Sequence, residues 1–203
     1  MRKILLLFVA AIVAASAHAS VKVTENPSGT VTIAVNGAAG QIGVETGQGW
    51  APYDYSSNMS SYQELIKKAS KVVITGNINA TDIRAIVQKS ASNNNTWTLT
   101  TLDMSGATID KITTDASGTQ AFVPLSYSHI ACKNVFLPKS QDGIIPNNFG
   151  SQFTEVLESI VIPTGTSLGD NAFIGKTNLK SVKLPAGLVS IGKNAFTRTG
   201  ITH

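Results

Sequence analysis

Few residues in this chain could do chemistry, and they are scattered. Cys132 is the single cysteine of the 203 residues, and His129 stands three positions before it. A thiol beside an imidazole is the pair that nucleophilic catalysis uses, because the base helps form the thiolate. Catalytic pairs of this kind are usually brought together from distant segments, whereas these two share one stretch with a degenerate repeat pattern. Cys132 therefore reads as a small buried apolar side chain. Residues 35–43 (VNGAAGQIG) set Gly37, Gly40 and Gly43 after an apolar strand. Such a turn cradles a pyrophosphate when a helix N-terminus follows at once, because its amides and dipole hold the phosphates. Gly47, Gly49 and Pro52 break a helix at that point, so the string reads as a flexible turn with no nucleotide and no cofactor. Glu155 and Glu158 are spaced i,i+3 at a repeat boundary and read as a solvated edge rather than an acid–base pair. No cluster of His, Cys or carboxylates has metal-ligand spacing, and His203 is the last residue. The expectation is of no catalytic residue and no metal.

The elements that would position any site begin after a leader. Arg2 and Lys3 precede the apolar residues 4–15, and Ala17-His18-Ala19 has the form of a cleavage site. Residues 1–19 thus read as a secretory signal peptide, the apolar run being too short for a spanning helix. No cysteine lies near the cleavage site to carry a lipid anchor. The expected destination is outside the cytoplasm: secreted, periplasmic or on the cell surface. Without Arg2 and Lys3, 14 basic residues face 12 acidic ones, a balance that argues for neither nucleic acid nor a polybasic membrane surface. A single cysteine also means no internal disulfide framework.

Val21 and Val23, then Val31, Ile33 and Val35, alternate with period two around Pro27-Ser28-Gly29, which predicts two strands of a hairpin. Ser60 or Ser61 can cap a helix over 62–70, with Glu64 completing a capping box. A strand over 71–75 is expected to stop at Gly76. A second helix opens at Thr81-Asp82, with Ile83, Ile86 and Val87 on one side. A strand over 96–104 is expected to end at Ser105-Gly106. Strands alternating with helices predict parallel pairing.

Beyond them lies a repeat. Residues 157–178 (LESIVIPTGTSLGDNAFIGKTN) match 179–200 (LKSVKLPAGLVSIGKNAFTRTG): Leu157 with Leu179, Pro163 with Pro185, Gly169 with Gly192, and Asn-Ala-Phe with Asn-Ala-Phe. A looser copy covers 130–156, and residues 123–127 hold a more degenerate one. A period near 22 marks a solenoid, in which no unit can bury its own apolar face and each must stack on its neighbours. Leu179, Val182 and Leu184 point inward, Pro185 ends the strand, Gly192 permits a tight turn and Phe196 fills the wide end of the coil.

This L-x-x-[IV]-x-[IL]-P pattern, followed by [IL]-G and N-A-F, resembles the BspA-like leucine-rich repeat family, and residues 72–109 look like the entry segment that precedes such repeats. The resemblance covers roughly 70–203. It implies an α/β chain leaning to mainly β: a right-handed leucine-rich-repeat solenoid with short parallel strands, preceded by an N-terminal β segment and a helix-strand-helix cap. It also implies a secreted or surface protein of Bacteroides-type bacteria, with no catalytic motif, that binds host or bacterial surface proteins or glycans in adhesion or ligand capture. The domain expectation is a leader (1–19), an N-terminal β-rich segment (20–60), an α/β cap with degenerate first coils (61–129) and repeats (130–203). The last copy is incomplete, since Ile201-Thr202-His203 begins another. Two alternatives are a structural module that self-associates through its open C-terminal coil, and an enzyme with a site near residues 20–60.

If the repeat strands align, outward positions form columns. One holds Asp103, Phe136, Val161 and Lys183, the expected binding face. The other holds Thr101, Asn134, Ser159 and Ser181. A slip of one residue would invert both.

Overall fold

The computed structural model describes residues 21–39, 42, 68–79, 82–83, 86, 99–110, 112 and 130–202. The expected leader, the copy at 123–127, His129, Val87 and His203 lie outside them, as does most of each expected helix. Helical backbone is present at Ile42, Lys68, Asp82, Ile83 and Ile86.

The regular elements among the described residues are strands and one 3-10 helix. Strands β1 (Val21–Asn26) and β2 (Thr30–Val35) form the expected hairpin, in antiparallel register from Val21↔Val35 to Asn26↔Thr30. Its three-residue loop closes through the Gly29 N–H on the Asn26 carbonyl at 3.0 Å, with Gly29 at φ 75°. Glycine reaches that region without a Cβ clash. From β2 onward the pairing is parallel, through β3 (Lys71–Ile78), β4 (Thr101–Ile109), β5 (Asn134–Phe136), β8 (Ser159–Val161) and β10 (Ser181–Lys183). A short β6 (Lys139–Ser140) pairs with the end of β4. On the other side of the coils, β7 (Ile144–Ile145), β9 (Ser167–Leu168) and β11 (Ser190–Ile191) form a second parallel sheet.

Two expected strand ends are corrected. β3 does not stop at Gly76 but runs to Ile78, because Gly76 lets two backbones touch: a Cβ there would lie 2.0 Å from the Val35 carbonyl oxygen. β4 begins at Thr101 and passes through Ser105-Gly106 to Ile109. The register moves from Val73↔Asp103 to Thr75↔Gly106, so β4 carries one extra residue, a bulge that absorbs the polar pair without breaking the ladder. The first helix also stops short of residue 70. Ala69 and Ser70 are not helical, and the Ser70 N–H is drawn onto the Gly29 carbonyl at 2.9 Å.

One continuous core runs from Val21 to Ala195. Its inward positions follow the strand alternation, with Val31, Ile33, Val72, Ile74, Leu102, Val135 and Ile160 all buried. In the repeats Phe149, Phe173 and Phe196 form a spine. Phe149 meets Phe173 edge-on at 5.9 Å, and Phe173 lies parallel to Phe196 at 5.7 Å. The ladder ends where expected: Leu137 and Ile162 donate their N–H to Val161 and Lys183 carbonyls at 3.1 and 3.0 Å, and the proline that follows each has no N–H to offer. Gly192 opens a turn, its carbonyl accepting the Ala195 N–H at 3.4 Å, and it also lets coils stack, since a Cβ there would sit 2.4 Å from the Gly169 carbonyl carbon. Leu184 is 41% exposed, against 2% for its counterparts Ile162 and Leu137, because among the described residues no further coil stacks on the third.

Candidate functional site

The outer face of the large sheet is built from residues two apart on each strand. Asp103, Phe136, Val161 and Lys183 are Cα partners in one row across β4, β5, β8 and β10, and Thr101, Asn134, Ser159 and Ser181 form the next row. The hairpin and β3 lengthen both rows. Thr24, Thr32 and Val73 continue the first, and Asn26, Thr30 and Lys71 the second. Phe136, Val161 and Asp103 are half-buried, while Lys183 is exposed.

The two rows differ in chemistry. The hydroxyl and amide row satisfies itself: the Asn134 amide donates to Thr101 Oγ1 at 3.3 Å, and the Ser159 hydroxyl donates to Asn134 Oδ1 at 3.0 Å. In the other row Asp103 is held by Lys71, whose Nζ lies 2.9 Å from Oδ2, and by the backbone N–H and hydroxyl of Ser105 at 3.2 and 2.7 Å. Burial pushes the Asp103 carboxyl up, but the hydrogen bonds from Lys71 and Ser105 outweigh it and leave the group below its ordinary value. The same ammonium stands 5.8 Å from the Phe136 ring centroid, within cation–π range. Lys71 thus ties an acid to an aromatic ring. Sequence reading missed it, although its parity with Val73 on an alternating strand is a usable signal.

The other candidates separate. Cys132 is buried, and burial alone pushes its thiol up to about 12, the opposite of an activated nucleophile. His129, the imidazole weighed beside it, lies outside the described residues. Glu155 and Glu158 are engaged separately, with Lys176 at 2.9 Å and Lys133 at 3.0 Å. Of the glycine string, residues 37–39 form a turn and Ile42 is helical. The Ile42 N–H donates to the carboxyl group of buried Asp82 at 2.8 Å, so this amide is already engaged within the chain. Asp82 also exchanges bonds with Asn79, accepting its N–H at 3.0 Å and donating its own to Asn79 Oδ1 at 3.3 Å. This reciprocal pairing, with the Ile83 N–H on the Asn79 carbonyl at 3.3 Å, has the form of a capping box.

The turns carry a signal the sequence displayed without its reason. Asn148, Asn171 and Asn194 all adopt φ between 55° and 58°, one per coil at a spacing of 23. Asparagine is the side-chain-bearing residue best suited to that region. One position earlier, Asn147 Oδ1 accepts the Asp170 N–H at 2.8 Å, and Asp170 Oδ1 accepts the Lys193 N–H at 2.7 Å.

Comparison with known proteins agrees with this geometry. Among curated proteins and among solved structures nothing matches the chain. A family model does match, over residues 144–203, with the description BspA type leucine rich repeat region (6 copies). The match takes in β7 to β11, the left-handed asparagines and the phenylalanine spine. The stacked coils that follow residue 144 are accordingly similar to the BspA-type leucine-rich repeat region.

Proposed function

We propose that this protein is a non-catalytic binding module that captures a protein or glycan partner on the outer face of its large sheet, as an exported or surface-held adhesion protein. A leucine-rich repeat region supports an interaction role in general. The observation that carries the finer reading is the row Asp103–Phe136–Val161–Lys183, which sets an acid, an aromatic ring, an aliphatic side chain and a cation on adjacent strands. Strands stand about 4.8 Å apart, so the row spans roughly 14 Å, the reach of a short extended peptide or a few sugar rings. Phe136 offers the apolar contact, Lys183 the free charge, and the self-bonded polar row beside them keeps the surface flat. A right-handed winding, a helix-strand-helix cap and the division at residues 60 and 129 complete this reading, with the leader at 1–19 supplying export.

The test is a glycan array and a pull-down from host and bacterial surface extracts, with wild type beside Phe136→Ala and Lys183→Glu. The expected result is a specific ligand whose retention falls about tenfold or more in each variant, each contact contributing on the order of 1.4 kcal/mol. A ligand retained equally by all three proteins places recognition elsewhere.

A further inference from the structure

The outward positions of the large sheet hold a restricted set of side chains. Phe136 is their single ring, and no Trp, Tyr, Arg or Met stands at an outward position of its seven main strands. Protein interfaces draw most of their binding energy from Trp, Tyr and Arg anchors and are poor in Ser. Here Thr30, Thr101, Asn134, Ser159 and Ser181 share one row with Lys71. Asn26 extends that row onto β1, so it crosses all seven strands and runs roughly 29 Å. Short hydroxyl and amide groups repeated at strand spacing match a polyhydroxylated chain better than a folded protein surface.

Charge on the same face gives the sign of the partner. Strand parity sets Lys22, Lys71 and Lys183 outward against one acid, Asp103. That acid is already engaged, accepting from Lys71 at 2.9 Å and from the Ser105 N–H and hydroxyl at 3.2 and 2.7 Å. The Lys71 side chain is 38% exposed and that of Asp103 is 14%, so an incoming group meets the ammonium first. Asp103 thus fixes the cation 5.8 Å from the Phe136 ring centroid while leaving it further hydrogens to donate. A cation held in place costs a ligand less ordering than a free lysine. Val161 lies beside Phe136 on the next strand and Lys183 beyond it, on the sheet face rather than the end of the coil. From Lys71 to Lys183 the surface reads cation, ring, aliphatic, cation. Carboxylates fit its two ends, and the C–H face of a sugar ring fits its middle.

Resting on the sheet-face reading above, we propose that the partner is an extended acidic polysaccharide, lying across the strands with carboxylates on Lys71 and Lys183 and the apolar side of a sugar ring on Phe136 and Val161. Its hydroxyls lie over Thr101, Asn134 and Ser159. An acidic polypeptide carries the same carboxylates, but the face of a sheet offers its backbone no strand edge to pair with.

The experiment titrates the full chain with fluorescent oligogalacturonate and oligomannuronate long enough to cross the sheet, beside their carboxyl-reduced neutral counterparts and poly-glutamate. At least one acidic oligomer should bind, with its neutral counterpart about tenfold weaker or worse, and binding should fall at least tenfold from about 0.1 to 1 M salt. Lys71→Gln/Asp103→Asn keeps the net charge and should weaken binding about tenfold, as should Lys183→Gln. Lys193→Gln removes a cation whose N–H lies on Asp170, away from this face, and should leave binding unchanged. Phe136→Ala should weaken acidic and neutral oligomers alike. Neutral oligomers or poly-glutamate bound as tightly as the acidic sugars, a loss in Lys193→Gln equal to that in Lys183→Gln, or no binding of either acidic oligomer at about 1 mM would each overturn the proposal. A protein ligand lost in Phe136→Ala, with no acidic sugar bound, leaves the sheet face standing and removes only the acidic-sugar assignment. Acidic-sugar binding untouched by every variant of the face overturns both.

Discussion

At the scale of single residues, the repeat is held by positions whose reason lies in backbone conformation. Asn171 is in the N-A-F motif because its φ of 55° disfavours most side chains. A residue other than glycine or asparagine costs about 1–2 kcal/mol there. Asn171→Ala should therefore lower stability by about 1 kcal/mol, while Asn171→Gly should stay within a few tenths, as chemical denaturation would measure. Equal losses in both would mean that the side-chain amide, not the backbone, decides. The motif was legible as three letters, but the left-handed turn was not, because asparagine is equally at home in caps and ordinary loops.

At the scale of elements, the alternation of apolar residues gave the strands and the face each side chain takes. The columns around Phe136 and Val161 follow from that parity together with the spacing of the prolines. Strand ends were less legible. Gly76 and Ser105-Gly106 carry the composition of breakers, yet one serves a close backbone approach and the other a bulge, and both depend on the neighbouring strand. The phenylalanine spine allows a quantitative comparison. Phe173 is fully buried between Phe149 and Phe196, whereas Phe196 is only half-buried. Phe173→Ala should cost about 3–5 kcal/mol in urea unfolding and Phe196→Ala distinctly less, since the cavity term needs surrounding atoms on all sides. Equal costs would indicate that the third coil is covered in solution.

At the scale of the whole molecule, the hairpin, the parallel strands and the repeats share one sheet and one core, so opening any central part exposes the rest. Cys132 reports on this. It is 1% exposed, and burial pushes its thiol up to about 12, so the reactive thiolate is scarce in the native state near neutral pH. A disulfide reagent should leave the native protein unmodified for hours and react at once in urea, with a rate at low denaturant that tracks global unfolding. Rapid stoichiometric labelling of the native state would show that residues 130–133 open on their own.

The sequence by itself determined the stacked architecture, because a period of 22 to 23 with buried positions two apart can satisfy its apolar faces only by coil upon coil. It determined the parity of the sheet rows for the same reason. Tertiary structure alone decided that residues 21–35 extend the same sheet, that Lys71 reaches both Asp103 and Phe136, and that glycines 169 and 192 let coils stack. Each of these depends on which segment lies beside which, and contacts between residues 23 to 65 apart leave no local periodicity in the chain that makes them.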